Sequence, residues 1–130
     1  MTTLLLDTHV VHWWSAARQT LSPAAARAIE DADELAIAAI SWFELAWLAK
    51  HERILLTIPT RSWLDGLAIQ LRTVGITPAI ADIAVSLPST FAGDPADRLI
   101  YATAIESGWR LVSKDTRLRE YRHPRAVALW

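Results

Sequence analysis

Five acidic residues stand where a carboxylate needs a reason: Asp7, Glu44, Asp94, Asp97 and Asp115. Asp7 closes the apolar run LLLD, and Asp115 follows LVSK. Asp94 and Asp97 head the stretch DPADRLIYATA. Glu44 lies within ISWFELAWLAK, among Trp42, Phe43, Leu45, Trp47 and Leu48. An ionised carboxylate in such company is costly unless a cation or a hydrogen-bond donor meets it. Carboxylates brought together also repel, and without a counter-ion some must stay protonated. A hard divalent cation such as Mg²⁺ or Mn²⁺ resolves both problems, because it takes oxygen ligands and keeps several waters for chemistry.

Each acid taken alone has a simpler explanation as a helix cap. SWFE has the frame of a capping box, with Ser41 as the cap and Glu44 reaching back to it. DPAD has the same frame, with Asp94 as cap and Pro95 in the first turn. SWLD at 62–65 is a third instance, and Asp115 is placed to cap TRLRE. Asp7 alone needs no helix to explain it. What capping does not predict is that all five fall on one edge of a sheet.

That edge follows from the expected elements. TLLLD reads as a buried strand, followed by a helix over Val10–Ala17. Ser22 and Pro23 open a second helix running to about Ala32. ELAIAAI is the second strand, and a helix runs from Ser41 to about His51. TRSWLDGLAIQLRTVG carries a helix stopped near Gly75, and ITPAI is a third strand before a helix over Ala81–Leu87. DPADRLIYATAIESG is a helix with a firm start and a glycine stop. RLVSKD is the fourth strand, and AVALW a fifth after a turn at His123 and Pro124. Strands alternating with helices predict an α/β three-layer sandwich, a small parallel sheet covered on both faces, as one domain over 1–130. In such sheets ligands sit beyond the carboxyl ends of the strands, where these acids fall.

Composition excludes several classes. Apolar residues make up 52% and charged residues 21%, which suits a globular chain. With no cysteine there is neither a disulfide framework nor a zinc–thiolate site. No apolar run approaches a membrane span, and MTTLLLDTH lacks a secretory signal's features, so a soluble cytoplasmic protein without a membrane role is expected. Four glycines leave no room for a phosphate-binding loop, and no serine sits in a nucleophile elbow. His9 and His12 lack a third nitrogen or thiolate partner and read as ordinary first-helix residues. DTHV lacks the second acid that a phosphotransfer receiver or an aspartate-nucleophile phosphatase needs there. Net charge is −1, yet from Arg98 to Arg125 seven basic residues face three acids, a local footprint that fits a phosphate backbone or a solvated surface. The seven tryptophans read mostly as core, Trp47 and Trp109 among them. The adjacent Trp13 and Trp14 cannot both face one core, so one is expected at a subunit or partner surface.

LLLDTH, ISWFELA, DPADRLIYATA and LVSKD, in this order, resemble the PIN-domain ribonucleases, and within them the VapC-type toxins of toxin–antitoxin pairs. The resemblance spans Leu4 to Asp115. It implies Mg²⁺- or Mn²⁺-dependent cleavage of RNA, restrained by a cognate antitoxin, and it points to a homodimer. It sets the family's acids on Asp7, Glu44, Asp97 and Asp115, with Asp94 competing for the third role. On that reading Asp7 and Asp97 are the first choices as metal ligands. Glu44 orders a water or acts as base, and Asp115 completes the site or that of a second metal. Thr8 and Ser113 position waters or ligands, while Arg98, Lys114 and Arg117 are candidates to hold the RNA backbone. The competing expectation is a non-catalytic PIN-like module that only binds a partner or RNA.

Overall fold

The computed structural model describes residues 1–91, 94–121 and 126–130. Its elements are β1 (Thr3–Leu6), α1 (Thr8–Ala16), a 3₁₀ turn (Arg18–Thr20), α2 (Pro23–Asp31), β2 (Glu34–Ala38), α3 (Ala39–Lys50) and α4 (Thr60–Gln70). There follow β3 (Arg72–Val74), α5 (Pro78–Ser86), α6 (Pro95–Ser107), β4 (Arg110–Val112), α7 (Thr116–Glu120) and β5 (Ala128–Leu129). The strand order is β3-β2-β1-β4-β5, and every neighbouring pair is parallel. Leu5 lies level with Ala36 on one side and with Leu111 on the other.

The apolar strands bury both of their faces, as a parallel sheet requires. On one face Leu4, Leu6, Ile37 and Val112 pack against Val10, Val11 and Trp14 of α1, Ile29 of α2, Leu45 of α3 and Leu67 of α4. On the other, Leu5, Ala36, Leu111 and Ala128 meet Ile100, Tyr101 and Ala104 of α6, with Leu118 of α7. α5 rests on α6 through Ile80, Ala84 and Ala102. The expected three-layer sandwich is what forms. Among the described residues no helix is long and apolar enough to cross a membrane.

Four local expectations are corrected. The third strand is Arg72–Val74 and not ITPAI, because Pro78 cannot donate to a ladder and instead opens α5. Thr77 caps that helix, its Oγ1 accepting from the Ile80 N–H at 3.2 Å. α4 starts at Thr60, so SWLD is no capping box; Asp65 pairs with Arg61 one turn back at 3.1 Å. α3 begins at Ala39 directly after β2, and Ser41 is a buried interior residue instead of its cap. Trp47 is 44% exposed and not core, while Trp109 is half-buried with the Arg72 guanidinium 5.4 Å above its ring. The expected turn at His123 and Pro124 lies outside the described residues.

Candidate active site

The chain leaves central β1 for β2 and β3 on one side, then returns to place β4 on the other. The crevice where this order reverses, beyond the carboxyl ends of β1 and β4, is where open α/β sheets bind ligands. A cleft of about 500 Å³ opens there, and Asp7, Glu44, Asp94, Asp97 and Asp115 all line it, with Thr8, His9, Val10, Trp13, Lys114 and Arg117.

Three of the acids are delivered as helix N-caps. Asp7 follows β1 and is the N-cap of α1, its Oδ1 accepting from the Thr8 N–H at 2.8 Å. This capping role is one the sequence reading did not assign. Its Oδ2 accepts from the Ser113 hydroxyl at 2.6 Å, and the Asp7 N–H donates to Val112 O at 3.0 Å, so β4 holds it. Ser113 Oγ in turn accepts from the Asp115 N–H at 3.1 Å. Asp94 caps α6, accepting from the N–H groups of Ala96 and Asp97, with Pro95 next in the first turn as expected. Asp115 caps α7 through the Arg117 N–H at 2.9 Å, also as expected.

Glu44 is met by Thr8. The Thr8 Oγ1 lies 2.6 Å from Glu44 Oε1 and 2.9 Å from Ser41 Oγ. A hydroxyl has one proton to give, so Thr8 donates to the carboxylate and Ser41 supplies the second bond as donor. Ser41, expected as the cap of α3, is a buried interior residue that bonds Thr8. Its signal in the sequence is a small polar side chain three residues before an acid, a spacing that a capping box shares.

Electrostatics set the acids apart. Burial raises the pKa of Asp7, against the lowering effect of its hydrogen bonds from Ser113 and Thr8. Burial also raises Glu44, opposed by Thr8 and reinforced by Asp7 and Asp94. Asp97 is pushed up to about 7 by burial and then by the charges of Asp7, Asp94, Asp115 and Glu44. For Asp115, burial acts upward, but the hydrogen bonds and charge of Arg117 hold it below the usual carboxylate value. Arg117 lies 3.0 Å from Asp115 Oδ2 and 3.5 Å from Asp97 Oδ2, the two ion pairs within the cleft among the described residues.

The basic candidates divide. Lys114 is exposed at the cleft, its Nζ 5.7 Å from the centre of the Trp13 ring. Arg117 is exposed there too. Arg98 points elsewhere: its guanidinium donates to the carbonyls of Ala84, Leu87 and Pro88 and sits over Phe91. It ties α6 to the end of α5 and is not a cleft residue, because capping those carbonyls consumes its donors. Arg122 and Arg125 lie outside the described residues. Of the adjacent tryptophans, Trp14 enters the core and Trp13 is half-buried on the cleft wall, tilted against Trp130 and His9.

No group of three potential ligands among the described residues is already assembled around a metal position. The donor type still fits Mg²⁺ or Mn²⁺: all oxygen, several carboxylates, and one acid whose pKa is raised to about 7 by burial and then by its neighbours' charge. Such ions commonly take one or two carboxylates directly and fill the remainder with water.

A parallel sheet of this order, with acids gathered at its switch point, defines a class that comparison with known proteins makes definite. Residues 4–124 match the PIN domain family, and the chain belongs to it. It is 71% identical over 130 residues, the whole of both chains, to a protein of Mycobacterium tuberculosis (strain ATCC 25618 / H37Rv) named Ribonuclease VapC22. In solved structures the same fold occurs in a toxin–antitoxin complex from Klebsiella pneumoniae (19% identity, TM-score 0.71, covering 98% of this chain and 96% of that one). It occurs again in VapBC2 from Rickettsia felis bound to a promoter DNA fragment (16% identity, TM-score 0.71, covering 98% of each chain).

Proposed function

We propose that this chain is a divalent-metal-dependent endoribonuclease and the toxin of a toxin–antitoxin pair, acting in the cytoplasm. The observation that carries the reading is the convergence of five carboxylates from four separate segments on one cleft, two of them held by hydroxyls from other elements. The 71% identical relative is named a ribonuclease, which supports the same reading. A module that only binds RNA gains nothing by concentrating negative charge where phosphates must come.

Asp7 and Asp97 would hold Mg²⁺ or Mn²⁺, with Glu44, Asp94 and Asp115 as the remaining acids of the site. The ion supplies charge neutralisation at the scissile phosphate and a water of lowered pKa. Ser113 and Thr8 keep Asp7 and Glu44 aimed at the cleft, so little reorganisation is needed when substrate arrives. Glu44, with its raised proton affinity, suits a general base. Lys114 and Arg117 meet the RNA backbone, Arg117 through the donors that its pairs with Asp115 and Asp97 leave free.

The antitoxin occupies the groove beside the acids. His9, Phe43, Glu44, Trp47 and Leu48 line a hollow of about 230 Å³ that shares Thr8, His9 and Glu44 with the cleft. Phe43 is 67% exposed there. An apolar helix or strand laid on Phe43 and Trp47 brings a basic side chain among the carboxylates, where an arginine binds bidentately and excludes substrate. The toxin itself forms a homodimer through apolar side chains left on its helices, including Ile69 and Val85. The deciding experiment is cleavage of a mixed RNA pool by purified protein. Cutting with Mn²⁺ that stops in EDTA is expected, and an RNA left intact under both conditions removes the ribonuclease reading.

A further inference from the structure

The acid cleft does not end at Arg117. That side chain also lines a second hollow of about 260 Å³, whose other walls are Thr90, Phe91, Glu120 and Tyr121. We propose that this hollow receives the base of a nucleotide next to the scissile phosphate, and that Glu120 makes the base guanine. The inference rests on the ribonuclease reading and adds a specificity site to it.

The wall of the hollow is aromatic and pre-positioned. Phe91, Tyr101 and Tyr121 pack as a trio with ring centres 4.9, 5.0 and 5.5 Å apart. Phe91 and Tyr101 are buried, and the Tyr101 hydroxyl donates to the Tyr121 carbonyl at 3.5 Å. Arg98, which donates to three carbonyls just before this segment, lies over the Phe91 ring. Tyr121 is therefore held in place before any ligand arrives, and base stacking on a fixed ring costs little ordering entropy. The Arg117 guanidinium offers a second planar surface for the same base. Because Arg117 also pairs with Asp97 and Asp115, a base stacked on it lies one short backbone step from the carboxylates.

Glu120 decides which base fits. It is exposed and forms no ion pair with a described residue. A carboxylate presents two acceptors and no donor. Of the four RNA bases only guanine offers two adjacent N–H donors, N1–H and N2–H, spaced to meet both oxygens. Its O6 beside them needs a donor, which the Thr90 hydroxyl supplies. Adenine, cytosine and uracil each place an acceptor against one of the Glu120 oxygens.

The test uses the full chain with Mn²⁺ and a set of oligoribonucleotides that differ at one position, including inosine, which lacks the N2 amino group. Wild type should cut the guanine substrate roughly ten-fold or more faster than the others at one fixed register from the break. Glu120→Gln and Thr90→Val should lose that preference, the guanine substrate falling to the rate at which the same variant cuts the other bases. Wild-type cutting without base preference, or a preference that survives Glu120→Gln, overturns the subsite and leaves the ribonuclease reading intact. Should no RNA be cut at all, the ribonuclease reading falls, and binding of the same oligonucleotides by fluorescence anisotropy judges the hollow separately. Tighter binding of guanine than inosine that Glu120→Gln abolishes supports it, and equal binding overturns it.

Discussion

Asp7 is the residue on which several elements meet: it ends β1, caps α1 and receives a hydroxyl from beyond β4. Asp7→Asn keeps a cap of equal quality, and its amide can still bond Ser113. It removes one charge from a cluster that already resists ionisation. Cleavage should drop about 10²–10³-fold, and melting temperature in EDTA should hold or rise. A variant that melts much earlier yet cleaves RNA normally would assign Asp7 a purely structural role. Asp97 gives a pH signature. Its folded pKa is raised above the ordinary value to about 7, so its contribution to stability is full below pH ~4 and is lost as pH rises through about 7. Without metal, wild type should therefore lose melting temperature from pH 5 to 8, and Asp97→Asn should lose less. Metal competes with that proton, so calorimetry should find Mn²⁺ binding tighter at pH 8 than at pH 6. Identical melting profiles for the two proteins would contradict the crowding of charge around Asp97.

Helix α6 carries the site by its start and the fold by its second turn. Asp94 and Pro95 set where it begins and therefore where Asp97 faces. One residue on, Arg98 reaches the closing carbonyls of α5 and of the segment after it. Hydrogen bonds from a charged donor are worth about 1.5–3 kcal/mol each at most, and these are partly shared with water. Arg98→Ala should lower stability by about 2 kcal/mol, several degrees of melting temperature in a domain this size. A backbone-binding arginine would behave otherwise, with unchanged melting and weaker RNA binding, so thermal unfolding beside an RNA titration separates the roles. α3 shows a similar division, with Leu45 in the core, Glu44 in the cleft and Phe43 in the adjoining groove.

At the scale of the molecule, negative charge is gathered inside one cleft while Lys114 and Arg117 stand exposed at it. On the proposed reading, substrate phosphates would enter only with a cation present, and a partner's arginine would stand in for that cation. Saturating the toxin with an antitoxin tail should abolish cleavage, and Phe43→Ser should weaken the tail's hold without changing the free toxin's activity. Full activity at saturation would sink the groove assignment. Light scattering at high micromolar concentration should report a dimer of the free toxin; a monomer removes the homodimer.

Three signals that act over two to four residues were legible in the sequence, although the SWFE and SWLD frames of the same range form no cap and the Asp7 cap of α1 was not expected. The Asp94–Pro95 start, the left-handed Gly108 stop at φ 71° and the Asp115 cap are short-range contacts of backbone and side chain, and each stands where the residues placed it. The α/β order was legible too, since alternating apolar runs leave few ways to bury both faces of a sheet. What the sequence could not decide were contacts made only when the sheet closes. The partner of Glu44 is Thr8, 36 positions away, and that of Asp7 is Ser113, 106 positions away. Short β3 exists because Arg72–Val74 lies alongside Ala36–Ala38, although its residues read locally as the tail of a helix. Arg98 was basic and near the site in sequence, but the carbonyls of Ala84 in α5 and of Leu87 and Pro88 just after it competed for it and won. A cap needs only groups that are neighbours in sequence, whereas these partners depend on which segments the core brings within 3 Å.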